Sequence, residues 1–418
     1  MKKLWLFFFP LLFLPNFGSS QQTSFGVLEI SDWLIVPFIF LLLIAPSASY
    51  RQRISQLIPF LWAFLIWSFF SILTIHFRYD YLDDSLVLIG SCLKLCRLAL
   101  YVFTTILIAR KLTDPIVRLQ WMWSLVAALA LLSIGLLAST RVNQSLSSSD
   151  TIEGYKSYNL MIVSVAILCS YIVGLWIDNT GTRRWRRIAA FVVVCAGCSV
   201  VLSSSLTSHG RGGWLAFAAG FGYLFWKRTQ AVKTLAILVM LSVISATAYE
   251  TLPSFKALID ATLSPAGNSN PESVDDGGRV STWQHEAPKL VDAPLFGSGF
   301  FHRGGESGLW SSGSHNFFLQ MFLETGVVGG VLLILIFALT WRQAGLVAAS
   351  QNKTSVATRA ALLTAIVGGM SGEYYYGGVS VLVLFAVFAI AGSLPAVEVI
   401  FMIDKMRSRV GRWRQVAS

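Results

Sequence analysis

Apolar and polar positions along this chain do not alternate and do not follow a simple amphipathic period. They form long continuous apolar runs separated by short polar connections, at approximately 4–17, 33–46, 57–75, 86–109, 117–138, 158–177, 188–205, 212–226, 233–249, 315–340, 360–376 and 379–402. Most of these approach the ~18 to 25 residues that carry a helix across the hydrocarbon of a bilayer. The expected fold class is therefore an all-α polytopic membrane protein with about twelve transmembrane helices. An outer-membrane barrel is excluded, because its strands would read apolar and polar by turns. The first two runs are short. Lys2 and Lys3 ahead of a run containing Pro10 and Pro15, then Gly18-Ser19-Ser20, also fit a secretory leader, and Pro37 in the second run predicts a tilted or broken helix.

Composition sharpens this picture. Of 418 residues 55% are hydrophobic and 13% charged, with mean hydropathy +0.65, which excludes a soluble enzyme on a single anchor and a disordered chain. A net charge of +11 raises the question of a nucleic-acid partner, but that needs basic residues gathered on one face or domain. Here they sit in the connections, so no nucleic acid is expected. Of the 32 Lys and Arg, only Arg78, Arg141, Lys156, Arg211, Lys256, Arg279, Lys289 and Arg303 fall in one alternate set of connections, with Lys94 and Arg97 inside a run. The rest lie on the other side, which the positive-inside rule makes cytoplasmic, together with both termini. Cys92, Cys96, Cys169, Cys195 and Cys198 all fall within apolar runs, so no disulfide framework is expected. No glycine-rich phosphate loop follows a strand, and ATP hydrolysis has no support.

The organisation is uneven. Residues 1–249 are read as transmembrane helices one to nine, 315–402 as ten to twelve, and 403–418 as a basic cytoplasmic tail; between them, 250–314 form one large outer loop. Loops of that length are usually functional or disordered. Within it Val280, Trp283, Ala287, Leu290 and Val291 recur at helical spacing and predict an amphipathic helix from Arg279, which Pro288 would kink or end. Pro294 to Phe300 reads as a tight turn with apolar anchors. Acidic residues outnumber basic ones in the loop, so an anion site there must rest on individually placed arginines.

Three outer-side positions carry chemistry. Ser208-His209-Gly210-Arg211-Gly212-Gly213-Trp214 puts an arginine and glycines just before a helix, whose N-terminal N–H groups favour a phosphate; the competing reading is a glycine turn with a snorkelling Arg211. Arg279 heads the loop helix and on its own reads more readily as a solvated or capping charge near Asp275 and Asp276. His315 is expected in the first turn of the tenth span, where the positive helix end disfavours a second proton and leaves the imidazole able to accept one; it also reads as an interfacial cap. Below it Asn316, Gln320 and Glu324 repeat every four residues as a polar stripe. Lys94 and Arg97 lie one turn apart at depth, where a charge is costly and marks a pathway, a lipid-phosphate contact or a structural ion pair. Glu373 precedes Tyr374, Tyr375 and Tyr376 near the outer end of the eleventh span.

Arg211 before Gly-Gly-Trp, Arg279-x-x-x-Trp283 in the single large loop, and His315-Asn316 with Gly326 and Gly329 beyond resemble the O-antigen ligase and polymerase superfamily, over about residues 200–330. The resemblance implies a membrane glycosyltransferase of the GT-C type in the bacterial inner membrane, with its active site facing the periplasm. It implies a donor glycan on undecaprenyl pyrophosphate, His315 as general base, and Arg211 and Arg279 on the diphosphate. Glu373, Lys94, Arg97, Asn316 and Arg303 would support them. Direct displacement would invert the anomeric centre, with no metal and no cofactor, since arginines stabilise a diphosphate leaving group themselves; Asp275-Asp276 offers only a weak alternative cation site. One outer loop rather than two favours the ligase, whose acceptor is lipid A core, in lipopolysaccharide biosynthesis. An O-antigen polymerase and a protein O-oligosaccharyltransferase are the alternatives within the superfamily. A flippase for lipid-linked oligosaccharides is the alternative without chemistry, though it would gather its polar residues near the midplane.

Overall fold

The computed structural model describes residues 3–14, 22–23, 26–27, 30–45, 56–78, 85–145, 155–176, 188, 192–198, 201, 211–228, 283–284, 286–300, 316–345, 352–370, 372 and 378–394. Its main helices are α1 (Leu4–Phe8), α2 (Ile30–Ile44), α3 (Leu57–Arg78), α4 (Ser85–Lys111), α5 (Pro115–Ser145), α6 (Tyr155–Trp176), α7 (Arg211–Arg228), α8 (Phe317–Gly345), α9 (Asn352–Gly369) and α10 (Gly378–Gly392). A small antiparallel hairpin pairs Gln22–Thr23 with Gly26–Val27. Among the described residues four helical segments are long and apolar enough to cross a membrane: Leu57–Thr74, Leu88–Lys111, Ile116–Leu136 and Phe317–Gly345. Shorter apolar helices accompany them at Leu4–Phe13, Trp33–Ile44, Met161–Leu175, Thr354–Gly369 and Ser380–Gly392. The chain is thus all-helical in its main elements, with the segments of a multi-pass membrane protein. Of the expected runs, 233–249 lies outside the described residues, as does the tail from 403.

Large apolar side chains face outward on several helices, among them Phe40, Ile66, Phe70 and Ile334, while Phe38, Leu61, Leu129 and Phe388 are buried between helices. Both kinds of surface are apolar because the bundle has hydrocarbon, not water, on its outside. Helix association without a hydrophobic drive relies on close approach of small residues. The contact of α6, α7 and α9 shows this: Gly174 leaves room only for Ala357, and Gly220 lies against Ser170 and Thr364, whose hydroxyls are 3.0 Å apart. The first segment joins the bundle as well. A 3-10 turn, Phe9–Phe13, continues α1, Phe9 and Trp5 pack on Trp121, and the Ser124 hydroxyl donates to the Leu6 carbonyl at 2.7 Å.

Cations close one pole. Lys111 Nζ donates to the Ala45 carbonyl at the end of α2, and Arg118 donates to Leu112 (3.0 Å) and to Ser393 (3.4 Å) just past α10. Each satisfies a carbonyl that a helix terminus leaves open, where a positive charge is also favoured by the helix dipole. Arg359 does the same for Trp341 near the end of α8, stacking over its ring at 5.0 Å. Lys111, Arg118 and Arg359 all belong to the connections or helix starts expected on the cytoplasmic side.

Candidate active site at a broken membrane helix

The opposite pole is organised around α8, which is not one straight helix. At Gly326 the backbone takes φ 70° and ψ −175°, a combination that is essentially glycine-only. A continuous helix would give the Val327 N–H to the Leu323 carbonyl. Instead Val327 donates to Pro294 at 2.7 Å, and Leu323 accepts from the Ser298 N–H at 2.8 Å. The Gly299 N–H donates to Glu324 at 3.0 Å, the Ser71 hydroxyl lies 2.6 Å from the same carbonyl and 2.8 Å from that of Phe296, and Trp67 Nε1 donates to Thr325 at 2.9 Å. An open backbone carbonyl in hydrocarbon costs several kcal/mol, so a break at this depth persists only where other parts of the protein complete it.

The completing segment is Pro294–Phe300, the tight turn expected from sequence. Gly297 (φ 71°) and Gly299 (φ 110°) let it fold back on α8, Phe296 stacks on Trp67 with centroids 4.7 Å apart, and Phe300 is buried among the helices. The fit is tight in both directions: a Cβ on Gly297 would come under 3.0 Å from the Glu324 backbone, and one on Gly326 under 3.0 Å from Leu295. We refer to Pro294–Phe300 as the strap. Of the amphipathic helix expected ahead of it, Trp283, Gln284 and Glu286 are α-helical, and residues 287–291 tighten into a 3-10 turn with Pro288 in its first positions. Trp283 and Leu290 are half-buried and Val291 is 79% exposed. Proline without an N–H ends the α-helical ladder there, as its position foretold.

Above the break, the outer half of α8 carries the polar stripe. Asn316 is the cap: its Oδ1 accepts from the N–H groups of Phe318 (3.0 Å) and Leu319 (3.2 Å). The first helical turn therefore begins at Phe317; His315, expected within that turn, lies outside the described residues. One turn below, Gln320 is 3% exposed and its Nε2 donates to Glu324 Oε1 at 2.6 Å; Glu324 is fully buried. This charge-assisted bond is short, as such bonds are.

The remaining sequence candidates divide into two groups. Arg211 is the first residue of α7, as the glycine turn predicted, and that helix packs on α6 and α9. Lys94 and Arg97 are half-buried on α4, about 13 and 18 Å from its start at ~1.5 Å per residue; the Arg97 guanidinium lies 6.0 Å from the Tyr101 ring. His315, Arg279, Arg303 and Glu373 lie outside the described residues, as do Asp275 and Asp276. Residues that sequence reasoning passed over are Ser71 and Trp67 on α3, whose only signal was polar atoms in an apolar run; the strap was expected as a turn, but nothing in the sequence named α8 as its partner.

The class these observations define is a multi-pass helical membrane protein with a polar site at one pole, built on an interrupted helix. The family model described as O-antigen ligase matches residues 191–334. That stretch holds α7 with Arg211, the loop with Arg279, His315, the stripe and the break at Gly326. It supports placement in the O-antigen ligase and polymerase superfamily, membrane enzymes of glycosyltransferase type that use lipid-linked glycans. No curated protein matches the chain.

Proposed function

We propose that the protein is an O-antigen ligase, transferring a glycan from undecaprenyl pyrophosphate to a sugar hydroxyl of lipid A core at the periplasmic face of the inner membrane. The observation that carries this reading is the family match over 191–334, the stretch that holds Arg211, Arg279 and His315. In the proposed step the acceptor oxygen attacks the anomeric carbon, and its proton passes to the neutral imidazole of His315. The bond from that carbon to the phosphate oxygen breaks, and the diphosphate leaves with the electron pair. Arg211 and Arg279 take up the charge through bidentate hydrogen bonds, and the α7 N-terminus adds its dipole. Attack opposite the leaving group inverts the centre.

The arrangement of α8 favours chemistry over transport. Its polar residues run from the helix head inward for two turns and end at the break, rather than gathering between repeats at mid-membrane. The test is transfer by the purified protein from a defined undecaprenyl-pyrophosphate glycan to purified core lipid. Glycosylated core lipid supports the ligase; lengthened lipid-linked repeats would replace it with the polymerase, and a glycosylated peptide with the protein O-oligosaccharyltransferase. No transfer to any of the three would refute the enzyme reading.

A further inference from the structure

At the pole opposite the break, the ends of α7 and α8 and the start of α9 meet around one indole. Tyr223 of α7 lies edge-on to the Trp341 ring of α8 with centroids 5.5 Å apart, and the Arg359 guanidinium of α9 covers the same ring at 5.0 Å. Trp341 stands four residues before the end of α8 and Tyr223 five before the end of α7. Both rings are therefore about 6 to 8 Å inside those ends at ~1.5 Å per residue. That is the level at which Trp and Tyr meet the headgroups of a bilayer. Two cations stand beside the rings. Lys227 follows Tyr223 by one turn on the same face of α7, and Arg342 follows Trp341; both are exposed, and neither has an ion pair among the described residues.

Arg359 behaves differently from an ordinary interfacial cation, which snorkels toward water. It is held inward: Nε donates to the Trp341 carbonyl at 3.2 Å, the guanidinium rests on the indole, and its tip lies against Gly345, whose missing side chain leaves the room. A guanidinium carries five N–H donors in a fixed fork. Capping α8 uses one of them, and the two terminal amino groups have no partner among the described residues. Donors fixed at headgroup depth and left unmet call for an acceptor, and the paired oxygens of a phosphate match the edge of the fork.

The surrounding charge selects the kind of phosphate. Neither α7 nor α9 contains Asp or Glu, and the one acid of α8, Glu324, lies in its outer half. A zwitterionic headgroup would bring its ammonium beside Lys227 and Arg342 with no carboxylate there to receive it. A headgroup of net negative charge meets only cations.

We propose that α7, α8 and α9 form at this pole a binding site for an anionic phospholipid of the phosphatidylglycerol type. Its phosphate sits on the Arg359 fork, flanked by Lys227 and Arg342, and its acyl chains run along the helices past Tyr223 and Trp341. Basic pockets between membrane helices hold anionic lipid headgroups in this manner. The site lies away from the proposed transfer site and does not rest on the glycosyl-transfer reading. A phosphate so placed ties α7 to α8 and α9, so bound lipid raises the unfolding temperature.

The experiment titrates the purified full chain in mild detergent and reads bound lipid by native mass spectrometry, with thermal unfolding beside it. The probes are phosphatidylglycerol, phosphatidylcholine with the same acyl chains, and inorganic phosphate. Wild type should hold phosphatidylglycerol at least ~10-fold more tightly than phosphatidylcholine, since each base near an anionic headgroup is worth about fivefold. Lys227→Gln/Arg342→Gln, at two exposed positions, should weaken phosphatidylglycerol at least ~5-fold and leave unfolding without lipid unchanged. Lys3→Gln/Arg110→Gln removes the same charge from exposed positions beside α1 and at the end of α4, and should change affinity by less than ~2-fold. Arg359→Lys keeps the charge without the fork and should weaken phosphatidylglycerol as well; if it does not fold, the two paired variants decide alone. Equal loss in the two pairs would reduce the effect to general attraction by a basic surface and overturn the site. Equal affinity for the two lipids, full affinity in Lys227→Gln/Arg342→Gln, or displacement of phosphatidylglycerol by inorganic phosphate would each overturn it too.

Discussion

Replacing Gly326 with alanine tests whether the break in α8 and the strap form one unit. At φ 70° and ψ −175° an L-residue is strained by about 1–3 kcal/mol. The added methyl would also collide with the Leu295 backbone, which cannot swing aside as a flexible side chain does, and overpacking of this kind costs a further ~1–3 kcal/mol. The chain can escape both by closing α8 into a continuous helix. Val327 then returns its N–H to Leu323, but the strap loses Pro294, Ser298 and Gly299 as bonded partners, and Phe296 loses Trp67. At about 1 kcal/mol net for each hydrogen bond, that route costs a similar amount. Either way Gly326→Ala should destabilise the protein by ~2 to 5 kcal/mol in unfolding from mild detergent into a denaturing one. The two routes separate by labelling: in a Ser298→Cys background a membrane-impermeant maleimide should react at least ~10-fold faster if the strap has been expelled, and little faster if it stays strained in place. The five native cysteines lie within helical segments and provide the background rate. An unchanged unfolding midpoint together with unchanged labelling would refute the claim that the glycine is there for the break.

Three further outcomes follow from the proposed function. Arg211→Lys and Arg279→Lys should each lose most transfer activity although the charge remains, because an ammonium cannot make the planar two-bond grip on a phosphate; near-normal transfer by both would remove them from the diphosphate site. His315→Ala should bind the lipid-linked donor as wild type does while transfer drops ~10² to 10⁴-fold, the usual worth of a positioned base, with His285 and His302 far more tolerant of alanine; equal loss of binding and transfer would make His315 a binding or structural residue, and no loss of either would pass the role to Glu373. Treatment with a chelator should leave transfer intact, and loss restored by added Mg²⁺ or Mn²⁺ would point back to Asp275-Asp276.

The helices were legible in the chain because a membrane span has one dominant physical requirement. About twenty apolar residues in succession satisfy it wherever they occur, so α3, α4, α5 and α8 appear within a few residues of the expected runs. The stripe was legible for a related reason: Asn316, Gln320 and Glu324 recur at the helical period, and the bond between the last two is the local contact that this spacing produces. Lys111, Arg118 and Arg359 each donate to a carbonyl near the end of a neighbouring helix or just past one, contacts that charge placement along the chain does not name.

Where hydropathy stopped short, single residues decided. Pro288 removes the N–H that would carry the loop helix onward, and the chain tightens there into a 3-10 turn. The start of α8 at Phe317 comes from the cap bonds of Asn316, a choice between neighbouring residues that hydropathy does not register.

The sequence alone therefore determined that the chain carries helices apolar and long enough to cross a membrane, four of them among the described residues, and that the start of α8 has a polar face, because those depend on transfer free energies of residues taken a few at a time. Only the tertiary structure decided that Gly326 is a break and not a mere weak point in a helix. That outcome depends on Pro294–Phe300 arriving from the loop, and on Ser71 and Trp67 arriving from α3, with donors for the very carbonyls the break exposes. Such pairing joins residues far apart in the chain, has no period to betray it, and is imposed by the hydrocarbon, which offers an unsatisfied carbonyl no water to turn to.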